Sequence, residues 1–210
     1  MTKHVYFVRH GQSESNVGDI MLGPAALLTE RGRDEAKLAA ERIERIGVDA
    51  LIASPFIRAM DTAQAISERV HLPIEQSDLF VEWKRPSLMR GRSWRDPEME
   101  ALTDSLLDET SVAKKHRHSD EETFHELRER AAAALDFLAA HPAERICAVS
   151  HGMFLNLLFG ELAFGDVFTP THFKLLIRNL RMSNTGISVF THIPERGWQI
   201  LTWNDSAHLG

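Results

Sequence analysis

Short apolar runs alternate with longer segments of helical period along most of this chain. That alternation restricts the fold more than any other feature. The run HVYFVR (4–9) reads as a buried strand. After a Gly-containing loop, Thr29 is placed to cap a helix over Glu30 to Ile46, with Ala36, Ala39, Ala40, Ile43 and Ile46 along one face. DALIAS (49–54) is a second strand. Ser54 and Pro55 then give a serine cap and a proline at the first helical position, for a helix reaching about Val70. LPIEQSDLFVE (72–82) predicts a third strand and its exit. A helix resumes from about Asp120, with Phe124, Leu127, Ala131, Leu135 and Leu138 at helical spacing. RICAVS (145–150) is a fourth strand, and MFLNLLFGELAF (153–164) an apolar helix. HFKLLIR (172–178), GISVFTHI (186–193) and WQILTW (198–203) read as β-like runs, and the PERG turn joins the last two as a hairpin.

The pattern predicts a three-layer α/β/α fold. Its central sheet is mainly parallel, with helices on both faces and an antiparallel edge hairpin. A length of 210 residues, 43% of them hydrophobic, fits one domain spanning 1–210. The stretch 83–120 differs: polar, broken by Pro and Gly, and without sustained periodicity, it reads as an insert or lid.

Thirty acidic against 24 basic residues give a net charge of -6. That balance argues against a nucleic-acid partner and requires any anion site to be a local concentration of cations. One cysteine, Cys147, allows no intrachain disulfide, and its apolar run predicts a buried small hydrophobe. Strand-like residues begin near the fourth position and no run approaches membrane-spanning length, so the expectation is a cytoplasmic protein with no membrane partner.

Ligands of such sheets sit beyond the carboxyl ends of the strands. Arg9 and His10 follow the first strand, and Ser54 and Arg58 the second. Glu82 follows the third, and Ser150, His151 and Gly152 the fourth. Two guanidiniums grip a phosphate with charge-assisted bonds. A neutral imidazole is a nucleophile near neutral pH. A second imidazole donates to the non-bridging oxygens. A carboxyl of raised pKa protonates the leaving oxygen and then activates water. Gly11 allows close backbone approach to the anion. The scheme calls for no metal and no cofactor.

VRHGQSESN, LTERGRDEA, ASPFIRAMDTA, AVSHG and NTGISVF together resemble the histidine phosphatase superfamily, the phosphoglycerate-mutase-like fold, in its intracellular branch. The resemblance covers nearly the whole chain and is weakest from Trp83 to Asp120. It implies that His10 is phosphorylated during turnover, with Arg9, Arg58 and His151 in the phosphate pocket. Asn16 resembles a family asparagine that helps bind the phosphoryl group or substrate, and the resemblance implies that Ser13 and Gly152 line the pocket through backbone or hydroxyl groups. EWKRPS resembles a family form that makes Glu82 the acid, with Glu75, Asp78 and Glu98 as competitors.

The expected activity is metal-independent hydrolysis of a small phosphorylated substrate. The loops SNVGDIMLGPAALLTERG and EWKRPSLMRG depart from those of dedicated mutases. Mutase-type transfer between hydroxyls, and a non-catalytic phospho-ligand-binding protein, stay open. Lys84, Arg85, Arg90, Arg92 and Arg95 form a basic stretch that either attracts a second anionic group or is a solvated face. Trp83 and Trp94 read as lid anchors, and KKHRH (114–118) as a surface loop. Relatives are often dimers, and a homodimer is possible.

Overall fold

Arg9 and Ser150 sit side by side at the ends of two parallel strands, and the sheet around them fixes everything at the site. The computed structural model describes residues 1–93, 95–108 and 117–210. Its strands are β1 (Lys3–Arg9), β2 (Ala50–Ala53), β3 (Ile74–Gln76), β4 (Arg145–Ser150), β5 (Ile187–Ile193) and β6 (Gly197–Asp205). They lie in the order β3-β2-β4-β1-β5-β6. The first four are mutually parallel. Strand β5 runs antiparallel to β1, and β6 antiparallel to β5. The expected mainly parallel sheet with an edge hairpin is what the chain forms.

Alternate residues of a strand face opposite ways, and here the two faces bury different helices. Val5 and Phe7 of β1, with Ile146 and Ala148 of β4, pack against α5 (Phe124–Ala140), α6 (Gly152–Phe164) and Phe173 of α7 (Pro170–Asn179). Val8 of β1, with Cys147 and Val149 of β4, packs against α2 (Glu30–Ile46) and α3 (Ile57–Val70). Phe7 and Phe190 meet edge to face at 5.0 Å. Cys147 is fully buried, and burial pushes its thiol pKa up, as a small core hydrophobe requires. Two further helices are α1 (Glu14–Val17) and α4 (Pro97–Leu106), the latter packing Met99 with Met21 and Met89.

Several local expectations are corrected. HFKLLIR is the body of helix α7, not a strand. Thr169 caps it, Pro170 stands at its first position, and Phe173, Leu176 and Ile177 face the core at helical spacing. Helix α3 begins at Ile57 with Phe56 at the cap position, so Ser54 is not its cap. Helix α5 starts at Phe124, where Thr123 and Glu126 form a capping box. The third strand is only Ile74–Gln76. A single 3₁₀ turn over Asp78–Phe80 then carries the chain to Glu82, which therefore lies well beyond the strand exit. The stretch from 83 is not without regular structure, since it contains a 3₁₀ turn at Ser87–Met89 and helix α4.

Candidate active site

Strands β2, β4 and β1 are neighbours, and each is followed at once by a polar residue: Ser54, His151 and His10. The ladder continues into these residues. The Ser54 N–H donates to Val149 O, and the His10 N–H to Ser150 O, both at 3.0 Å. Ser54 and His151 are fully buried and His10 nearly so.

The His10 ring is held from both nitrogens. Nδ1 lies 2.7 Å from the Gly11 carbonyl, which can only accept, so Nδ1 carries the proton. Nε2 then presents its lone pair and accepts from Arg58 Nε at 3.1 Å. Burial, followed by the charges of Arg58 and Arg9, holds the His10 pKa well below the ordinary imidazole value. The ring is neutral at neutral pH with Nε2 available. The His151 ring lies 5.2 Å from it, tilted by 58°, and its pKa is also well below normal, chiefly by burial and then by Arg58. His151 Nε2 is 2.8 Å from Ser54 Oγ.

Arg58 is fixed by a bond from Nη1 to Gly23 O at 2.8 Å, and its guanidinium lies 5.3 Å from the Phe56 ring centre. Arg9 Nη1 donates to Met182 O, while its buried Nε has no partner among the described residues. Burial lowers both guanidinium pKa values, an effect that the Glu82 charge opposes.

Glu82 is seated at the N-terminus of α6. Its Oε1 accepts from the N–H groups of Trp83 and Phe154, each at 3.0 Å, and its Oε2 from that of Met153 at 3.3 Å. A carboxylate at free helix N–H groups is a favourable placement. Of its competitors, Glu75 faces His141 and Glu98 pairs with Arg92, and none of Glu75, Asp78 or Glu98 lines the cavity.

Arg9, His10, Arg58 and Glu82 line a cavity of about 390 Å³, whereas His151 and Ser54, both fully buried, lie outside its lining. Of the five basic residues in the 84–95 stretch, Lys84, Arg85 and Arg90 line it. Arg92 instead pairs with Asp96 and Glu98, and Arg95 with Asp19. The Arg85 guanidinium lies 5.0 Å from the Trp83 ring centre, and burial lowers its pKa to about 10, so it stays charged. Trp83 is buried, and its Nε1 donates to Glu122 O at 2.9 Å, as an anchor would. Trp94 and residues 114–116 of KKHRH lie outside the described residues. Arg117, from the same run, pairs with Glu126.

Asn16 and Gly152 line the cavity, but Gly11 and Ser13 do not. Gly11 serves packing rather than anion approach: a Cβ there would stand 2.3 Å from Gly32 O, and one on Gly32 would stand 1.9 Å from Gln12 O. Ser13 is buried, and its N–H and hydroxyl both donate to Asn16 Oδ1. Asn184 Nδ2 reaches the same oxygen at 3.1 Å and His10 O at 3.0 Å. Sequence reading missed Arg181 and Asn156, which line the cavity, and Asn184 and Thr62, which brace its floor. Arg181 lies only three residues before the NTG of the last motif, a proximity that could have marked it.

A family model described as the histidine phosphatase superfamily (branch 1) matches residues 5–206. The chain belongs to this family. It is 28% identical over 207 residues to PhoE of Bacillus subtilis (strain 168), named an uncharacterized phosphatase, covering 98% of this chain and 96% of that one. It is 31% identical over 212 residues to GpmB of Yersinia pestis (strain Pestoides F), named a probable phosphoglycerate mutase, with 98% and 94% covered. The fold matches a mycobacterial glucosyl-3-phosphoglycerate phosphatase solved with VO3, at a TM-score of 0.77 and 22% identity, over 97% of this chain and all of that one. In histidine phosphatases named for both kinds of activity, then, one scaffold is shared, and the site must decide between them.

Proposed function

We propose that this histidine phosphatase hydrolyses a small phosphomonoester through a phosphohistidine at His10 Nε2. The Nε2 lone pair forms the N–P bond as the ester P–O bond breaks. Glu82, in its protonated form, gives its proton to the leaving oxygen. Water then attacks phosphorus, loses a proton to the Glu82 carboxylate and releases inorganic phosphate as the N–P bond breaks. Arg9, Arg58 and His151 bind the non-bridging oxygens, and Asn16 offers its amide N–H to the substrate. Every charge that develops meets one of these groups, so the reaction as written uses no metal.

The observation that carries this reading is the pair of bonds on His10. Gly11 O holds the proton on Nδ1, and the Arg58 contact marks where the Nε2 lone pair points. Among the described residues, Lys84, Arg85, Arg90 and Arg181 add four cations to the cavity beyond the two at the phosphoryl group, against Glu82 as the one acidic residue. That surplus supports a substrate with a second anionic group. Identity to a mutase-named relative favours one second reading, phosphoryl transfer between hydroxyls. Incubation with 3-phosphoglycerate separates the two: inorganic phosphate signals hydrolysis, and an isomeric phosphoglycerate without phosphate release signals mutase chemistry.

Among the described residues no helix is long and apolar enough to cross a membrane. The lone buried thiol of Cys147 supports a cytoplasmic setting.

A further inference from the structure

We propose that Ser54 is a positioning residue: it fixes His151 in the tautomer protonated at Nδ1, and that N–H donates to the substrate's phosphoryl oxygen. The identity of this acceptor rests on the hydrolase reading above. Three adjacent strand ends supply the parts, with His151 on β4 set between Ser54 on β2 and His10 on β1.

Proton accounting carries the inference. Ser54 Oγ accepts the Phe56 N–H at 3.3 Å and lies 2.8 Å from His151 Nε2. The buried hydroxyl proton needs an acceptor, and His151 Nε2 is the one in contact with Ser54 Oγ among the described residues, so the proton turns to the imidazole. Nε2 is thereby an acceptor, and a neutral ring must then carry its single proton on Nδ1. That Nδ1 is buried and has no hydrogen-bond partner among the described residues. A buried donor left unpaired is costly and calls for a partner. Arg9 Nε is a second buried donor in the same condition, and it lies against Gly152, the residue after His151. The His151 ring centre stands 5.2 Å from that of His10, whose Nε2 would bear the phosphoryl group, and Arg9 immediately precedes His10, so an oxyanion bound there is the partner assigned to both donors. The same proton accounting explains why the serine of the Ser-Pro pair faces inward rather than capping α3.

The test is the tautomer itself, read from nitrogen–proton couplings in 15N-histidine-labelled protein without substrate. The His151 resonances are assigned by their loss in His151→Gln. The expected result in wild type is a neutral His151 protonated at Nδ1. A ring protonated at Nε2 overturns the inference, and this measurement needs no variant at Ser54. Ser54→Ala is expected to mix the tautomers and lower kcat by roughly 10- to 100-fold with little change in KM. Ser54→Thr, which keeps the hydroxyl, is expected to restore the tautomer. A Ser54→Ala protein with unaltered kcat on an aryl phosphate that wild type hydrolyses also overturns it. A wild type that holds the Nδ1 tautomer but hydrolyses no ester supports this role for Ser54 and counts against the hydrolase reading.

Discussion

Arg58 Nε donates to His10 Nε2 at 3.1 Å, so a cation covers the nitrogen proposed to attack phosphorus. A substrate phosphate must take over that guanidinium bond before attack. Burial, with this contact second, holds the ring neutral, and the contact presets the position of the phosphoryl group.

Rate and stability should both report this neutrality. His10 and His151 keep pKa values well below 6.5 in the fold, through burial and neighbouring arginines. The acid limb of kcat/KM is then expected below the ordinary histidine range. In the unfolded chain both rings take up protons near pH 6.5, whereas the folded protein does not. Stability is thus fully present above about 6.5 and declines as pH falls below it, by up to about 1.4 kcal/mol per pH unit for each ring. Urea midpoints at pH 7 and pH 5 check the sign, and His151→Asn should flatten the slope.

Glu82 is aimed by three backbone N–H groups, one of its own neighbour and two at the start of α6. Glu82→Gln keeps much of that seating but cannot supply a proton. It should slow alkyl phosphates by roughly 100-fold or more while sparing esters of acidic phenols. Equal loss on both classes would count against the proton-donor role.

Arg85 lies at the cavity wall on the face of Trp83. Arg85→Met should raise KM for a phosphorylated carboxylate by about 10-fold, the scale of one charge-assisted bond, and leave an aryl phosphate without a second anionic group nearly unchanged. Comparable KM changes for the two would remove the second-anion reading.

The turn after β1 closes on α2 with almost no space between backbones. A Cβ on Gly11 would lie 2.3 Å from Gly32 O, a rigid backbone atom. Gly11→Ala is expected to lower stability by about 1–3 kcal/mol, the usual cost of overpacking, and to displace His10. Thermal unfolding measured beside activity checks both effects; an unchanged melting temperature with full activity would contradict the packing account.

How legible these features were depended on their range. The strands whose residues alternate between two apolar faces, such as Val5, Phe7 and Val8, could be read from period and composition. So could Arg9, His10, Arg58 and His151, because strand ends are local signals. Helix α7 misled because Leu175, Leu176 and Ile177 form an unbroken apolar run that fits a strand as readily as a buried helix. Phe173 packed against Phe168 and Trp83 fixes the helix, and its local start signals, Thr169 and Pro170, lie just before the run. Ser54 read as a cap because its partner, His151, is 97 residues away. The basic stretch looked uniform, yet Arg92 and Arg95 are tied to nearby acids while Arg85 turns inward; one-dimensional charge carries no such distinction.

The most direct test of the account is hydrolysis of an activated aryl phosphate by chelator-treated protein, wild type beside His10→Ala. The account predicts turnover by wild type without added metal and a loss of about 1,000-fold or more in the variant. Turnover that survives in His10→Ala, or that vanishes with the chelator and returns with a divalent ion, would contradict it.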